Sequence, residues 1–225
     1  MRGRTGRRVV AIGLALVAAL GAVAAPAAAS TNDPILLVHG WRGSPTTWGD
    51  MINRFKAQGR TAVAIDLATE DNIRNAAQIR DFIRARGWTK VDIIGQSMGG
   101  LSARHYIKFL GPTVIDTYVS LGTPQQGLIS ACFLLPSNGG QMCPSHSFMR
   151  NLNYGDDTPG AVYWTTIYSR TDGVMPTSAS KLDGGACHVE VGGPSHNYLD
   201  NDATVFTHVL SAVNRQPCTG VMRTT

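Results

Sequence analysis

The chain has 225 residues, 43% of them hydrophobic and 16% charged, with a formal net charge of +5; that is enough for one α/β domain with a substantial core and too little for a large second one. Four of the 20 basic residues, Arg2, Arg4, Arg7 and Arg8, crowd the first positions, and without them 16 bases face 15 acids. The basic balance therefore belongs to the N-terminus, and no charge run or aromatic-interleaved basic stripe points to nucleic acid.

From that basic start the chain passes into an apolar, Ala-rich run from Val9 to about Ala25, then Pro26 and the small residues Ala27-Ala28-Ala29-Ser30. This is the layout of a secretory signal peptide with cleavage after Ala29, and the run is somewhat shorter than the ~20 residues of a spanning helix. Residues 1–29 are thus expected to direct export, leaving 30–225 as one extracellular domain.

In chain order, Ile35 to Val38 is a continuous apolar run ended by Gly40, as in a strand buried on both faces, and Thr61–Leu67 and Val91–Ile94 look the same. Between the last two, Asp71 to about Arg86 reads as a helix with Ile73, Ala76, Ala77, Ile79 and Ile83 on its apolar face and Gly87 at its end. Ser97–Leu110 reads as a helix, Val114–Leu121 as a strand, Ala161–Ser169 as a strand and His188–Val191 as a short strand. A last helix spans 203–214, with Val205, Phe206, Val209, Leu210 and Val213 at core spacing. Strands alternating with helices give an α/β fold with a mostly parallel sheet covered on both faces.

The connection from Pro124 to Gly160 is long for a compact domain, which marks a functional element or further structure. Phe148, Met149 and Leu152 suggest a short helix there, and Phe133-Leu134-Leu135 are candidates for lining a substrate pocket. Cys132, Cys143, Cys187 and Cys218 all lie in the exported part, where an even count reads as two disulfides. Three pairings are open. Cys132 with Cys143 and Cys187 with Cys218 closes the shortest loops and ties down the C-terminal tail.

The most informative segment is Val91 to Gly100, a buried strand followed by G-x-S-x-G and a helix. Glycines must flank the serine of such an elbow because the turn is too tight for neighbouring side chains, and Ser97 is left exposed at a helix N-terminus. A serine hydroxyl needs a base, and the chain order for this arrangement is serine, acid, histidine. His39 and His105 come too early or are misplaced, His146 precedes any suitable acid, and His188 and His208 fall inside a strand and a helix. His196, in a loop at the carboxyl end of strand 188–191, is the candidate base. Asp172, in a turn after the strand ending at Ser169, is the candidate acid, with Asp183 a runner-up in a surface turn. The N–H of Met98 supplies one oxyanion donor by the geometry of the elbow, and Trp41, in the loop His39-Gly40-Trp41-Arg42-Gly43, is the best second. His39 itself reads as a structural hydrogen-bonding residue.

With these residues in place, the chain resembles the small secreted lipases and esterases of bacteria in the α/β-hydrolase superfamily. The matching pieces are Leu37-Val38-His39-Gly40-Trp41, Gly95-Gln96-Ser97-Met98-Gly99-Gly100, Leu121-Gly122-Thr123-Pro124, residues 147–153, Tyr168-Ser169 to Asp172, and Ser195-His196. The resemblance implies a compact sheet of about six parallel strands with little or no lid. It also implies ester hydrolysis through an acyl-enzyme, with Ser97, Asp172 and His196 as triad and Trp41 and Met98 as oxyanion donors. No cofactor and no metal are expected, and Asp200 and Asp202 before the last helix read as an N-cap and a dipole partner rather than calcium ligands. The expected substrate is a small-molecule or lipid ester met by a monomer in transient contact with a lipid interface. A polyester depolymerase, a short-chain carboxylesterase, an acyl transferase and an inactive secreted binding protein are the alternatives.

Overall fold

The computed structural model describes residues 33–223, so the expected signal peptide lies outside the described residues. The elements run β1 (Ile35–Val38), α1 (Gly49–Ala57), β2 (Ala62–Ile65), α2 (Asn72–Ala85), β3 (Val91–Gln96), α3 (Met98–Phe109), β4 (Ile115–Leu121), α4 (Ser147–Leu152), β5 (Tyr163–Ser169), β6 (Ala186–Val191), α5 (Ala203–Val213) and β7 (Val221–Met222). Among the described residues the sheet has seven strands in the order β2-β1-β3-β4-β5-β6-β7. The first six are parallel, as expected; the seventh, a two-residue antiparallel strand at Cys187 and His188, is added by the C-terminal tail.

Alternation along the strands sends side chains into two cores. Ile35, Leu37 and Ile94 face one layer with Met51 and Phe55 of α1 and Val205, Phe206 and Val209 of α5. Leu36, Val38 and Ile93 face the other with Ile79 and Ile83 of α2 and Tyr106 and Ile107 of α3. Helix α1 was not anticipated, although Trp48, Met51, Ile52 and Phe55 carry helical spacing behind Pro45, which opens a 3-10 turn. Strand β2 departs from the expected two-sided burial because it is the sheet edge, and three of its four residues are only partly buried. In α2, Ile73 is 50% exposed rather than on the apolar face. Asn72 and Asn75 are buried in its place, where Asn72 Oδ1 accepts from Ser102 Oγ at 2.8 Å and Asn75 Oδ1 from Thr69 Oγ1 at 2.9 Å.

The 124–160 connection holds two short 3-10 turns and α4, so it is built rather than loose. Its anchor is Arg104 of α3, fully buried. The guanidinium is ion-paired with Asp157 and donates to Gln125 Oε1, Asn153 Oδ1 and the Leu152 carbonyl, fixing both ends of the connection to one helix. Such a charge is tolerable inside a protein because its donors are matched. Disulfides join Cys132 to Cys143 and Cys187 to Cys218, the pairing with the shortest loops.

Candidate active site

Five parallel strands end at one edge of the sheet, and the loops leaving them carry the residues singled out in the sequence. Trp41 follows β1, Ser97 follows β3, Gly122 follows β4, Asp172 follows β5 and His196 follows β6. Ligands in open α/β sheets bind beyond such carboxyl ends.

Ser97 sits between β3 and α3 at φ 52° and ψ −126°, a conformation that a residue with a side chain adopts only at a cost. The glycines around it explain how so sharp a turn closes. A Cβ on Gly95 would lie 2.5 Å from the Gly100 Cα, one on Gly99 would strike the Val38 and His39 carbonyls, and one on Gly100 would strike the Thr123 side chain. The turn delivers Ser97 Oγ to 2.9 Å from His196 Nε2, and His196 Nδ1 lies 2.8 Å from Asp172 Oδ2. All three residues are buried, so the chain of hydrogen bonds runs where water competes weakly.

Asp172 is fixed on every side. Its Oδ1 accepts the N–H groups of Val174 and Met175, and its backbone carbonyl accepts the His196 N–H at 2.9 Å. Gln96 Nε2 donates to the His196 carbonyl at 3.2 Å, tying the histidine loop to the elbow. The Asp-Gly turn announces Asp172 in the sequence, but the two N–H groups behind it and Gln96 were not foreseen. Asp183, the runner-up acid, is far more exposed and pairs with Arg223 at 3.5 Å. His39 Nδ1 donates to the Gly40 carbonyl at 3.0 Å while its Nε2 accepts from Leu67 N–H at 3.1 Å, which leaves neither nitrogen for proton transfer. Asp202 caps α5 by accepting from Thr204 and Val205 N–H. Asp200 is buried, and burial pushes its carboxyl up to about 6.

Above Ser97 and His196 opens a cleft of about 420 Å³ that Trp41 also lines. Its apolar wall comes from Leu128, Ala131, Leu134 and Met142, a stretch braced by the Cys132–Cys143 disulfide, together with Val174 and Met175 from the loop after β5. Of the three apolar residues expected to line a pocket, only Leu134 does; Phe133 is 89% exposed and Leu135 71%. The chain turns between neighbours in this irregular segment, so consecutive residues point to different sides. Met98 faces inward against Leu101, Met142 and Phe148. Its backbone N–H, in the first turn of α3, has no partner within the helix and is available to an oxyanion.

The model of the Lipase (class 2) family matches residues 32–209. The chain belongs to this family. Among individual relatives, the triacylglycerol lipase of Burkholderia plantarii is 30% identical over 138 residues, 55% of this chain and 38% of that protein. The triacylglycerol lipase of Pseudarthrobacter phenanthrenivorans is 28% identical over 120 residues, 47% of this chain and 37% of that one. The matched stretch thus spans less than two fifths of these relatives' own length. Among solved structures, the mature form of Bacillus licheniformis lipase BlEst2 superposes with a TM-score of 0.66 at 19% identity, covering 80% of this chain and 93% of that one. The α/β hydrolase MGS-MChE2 from a sediment metagenome gives 0.61 at 18% identity, with coverage of 80% and 89%. At such identities the likeness shows the fold, the α/β-hydrolase fold expected from the motifs.

Proposed function

We propose that this chain is a secreted carboxylic ester hydrolase, a lipase or esterase, with Ser97 as nucleophile, His196 as base and Asp172 as orienting acid. The observation that carries the reading is the pair of hydrogen bonds running from Asp172 through His196 to Ser97 Oγ at the floor of an apolar cleft. Family membership and triacylglycerol lipase relatives support the same reaction class.

In this mechanism His196 Nε2 takes the Ser97 proton as Oγ attacks the ester carbonyl. Asp172 holds the imidazole with Nδ1–H toward itself and stabilises the imidazolium. The backbone N–H groups of Trp41 and Met98 receive the oxyanion. His196 then protonates the leaving alcohol, and a water deprotonated by the same ring releases the acid from the acyl-enzyme. Every step in this mechanism is carried by the chain's own groups and a water. The expected pair of disulfides and the N-terminal leader pattern support export.

The substrate we infer is an apolar ester, foremost a lipid. Beside the apolar cleft wall, Ile129, Phe133 and Leu135 stand exposed, and residues 124–155 contain no Asp or Glu. An apolar rim built from a segment without acidic residues suits transient contact with a lipid surface.

The test is labelling by a fluorophosphonate together with rates on p-nitrophenyl esters of rising acyl length, emulsified triglyceride and polyester. Labelling is expected in the wild type and absent in Ser97→Ala, whose turnover, like that of His196→Ala, falls by more than about a thousandfold. A folded wild type that takes no label would overturn the hydrolase reading. A rate that collapses beyond about four acyl carbons would assign a short-chain esterase in place of a lipase, since a cleft discriminates through the methylenes it buries.

A further inference from the structure

The turn that carries Trp41 is held by groups the reaction itself does not use. Gly43 N–H donates to the Gly40 carbonyl at 3.0 Å, closing a four-residue turn with Trp41 and Arg42 at its centre. His39 Nδ1 donates to the same carbonyl at 3.0 Å. Because a trans peptide is planar, fixing the Gly40 oxygen fixes the Trp41 N–H on the opposite side of the same plane. The next peptide plane is harder to hold, since Arg42 sits at φ 53°, where a glycine would fit without strain and an arginine does not.

Glu70 holds that plane. Its Oε1 accepts the Arg42 N–H at 3.0 Å across 28 residues of sequence. Glu70 is itself anchored, pairing in a parallel bridge with Asn138 and preceding Asp71, whose carboxylate caps α2. Its Oε2 is buried with no hydrogen-bond partner among the described residues, and burial pushes the carboxyl above its usual range. A carboxyl kept half-buried with one oxygen unmatched weakens the fold unless the remaining contact is needed. The Trp41 side chain is clamped as well, with the Arg42 guanidinium 4.7 Å over its ring and Gly139 beside its indole nitrogen.

We propose that Glu70 is a positioning residue for the oxyanion site, which by accepting the Arg42 N–H holds the strained turn in the one conformation that aims the Trp41 N–H at Ser97. The proposal rests on Trp41 being an oxyanion donor of the hydrolase proposed above.

Steady-state kinetics on a soluble short-chain ester test it with Glu70→Ala, Glu70→Gln and the double variant Glu70→Ala/Arg42→Gly. Glu70→Ala is expected to lower kcat by about tenfold or more with KM within about twofold, because a displaced donor loses stabilisation only in the transition state. Glu70→Gln keeps an acceptor oxygen in place and is expected to retain kcat within about threefold of the wild type. Arg42→Gly in the Glu70→Ala background is expected to restore most of the lost rate, because glycine takes the positive φ unaided. A Glu70→Ala enzyme at full kcat overturns the proposal, as does a Gln variant as slow as the Ala variant or a double variant with no recovery. If Glu70→Ala does not fold, Glu70→Asp takes its place: a carboxylate one methylene shorter falls short of the Arg42 N–H, so the same loss of kcat is expected, and full kcat overturns the proposal. Fluorophosphonate labelling in the same preparations separates the two readings. An unlabelled wild type removes the hydrolase itself, whereas a labelled wild type beside a fully active Glu70→Ala removes only the role of Glu70.

Discussion

The two disulfides make an internal control for one another. Cys132–Cys143 spans 11 positions and Cys187–Cys218 spans 31. In the chain-entropy model, closing loops of these sizes is worth about 3 and about 4 kcal/mol respectively. At roughly 2–4 °C per kcal/mol for a domain of this size, Cys132→Ser/Cys143→Ser is expected to lower Tm by about 6–12 °C and Cys187→Ser/Cys218→Ser by about 8–16 °C. Activity should rank the other way. Cys187 lies near the start of β6, at the end of the sheet away from the cleft, while Ala131 and Met142 adjoin the first disulfide and line the cleft wall. A well-formed apolar wall contributes at most about 0.8 kcal/mol per acyl methylene, or about fourfold in kcat/KM. The Cys132/Cys143 variant should therefore flatten the rise of kcat/KM with acyl length, and the Cys187/Cys218 variant should leave that slope unchanged despite its larger loss of stability. Denaturant melts and a p-nitrophenyl ester series on both variants measure this. If both slopes fall together, or neither moves, the assignment of the cleft wall to residues 128–142 is refuted.

Gly122 sits at φ 54°, and a Cβ there would lie 2.6 Å from Leu199 Cδ1, 3.1 Å from Asp172 Oδ2 and 3.2 Å from His196 Nδ1. Gly122→Ala should cost about 1–2 kcal/mol of backbone strain and lower kcat by about tenfold or more by displacing the Asp172–His196 pair; a variant with wild-type kcat would contradict that geometry. For Asp200, burial raises the folded-state pKa from 3.8 to about 6. The folded state then binds more protons than the unfolded one across that window, so this group makes stability fall as pH rises from about 4 to about 6. Asp200→Asn removes the ionisation and should gain stability over the wild type at pH 7–8 relative to pH 4, read from denaturant midpoints; a difference that does not change with pH would count against it.

The parts of this molecule that were legible in the sequence are those whose geometry is set locally. Ser97 is announced by a buried strand, an elbow of glycines and a helix within ten residues, and each glycine meets backbone or Thr123 where a side chain would stand. Asp172 and His196 are announced by turns at strand ends, and a parallel sheet brings all strand ends to one edge whatever the intervening sequence. Helix α1 carries the same kind of local pattern in Trp48, Met51, Ile52 and Phe55 but escapes the sequence reading, because Gly49 at its start masks it.

The cleft wall was not legible, because an irregular segment has no period from which to infer a facing direction. Leu134 points into the cleft and its neighbours Phe133 and Leu135 into solvent only because the disulfide and the hydrogen bonds from Gly140 to Leu135 and from Leu128 to Met142 bend the chain there. The burial of Asn72 is hidden for a related reason: its partners, Ser102 Oγ and Gln141 Oε1, lie 30 and 69 residues away. Glu70 is the extreme of this class. Nothing around it distinguishes it from a surface acid before a helix, and its contact with Arg42 exists only once β1 and β2 have paired. The proposed reacting groups can be read from local patterns because the elbow and the strand ends must each be built in one place. The groups that hold the proposed oxyanion turn are free to come from anywhere in the fold, so the turn's strain at Arg42 is the first sign of them, and that sign appears only in three dimensions.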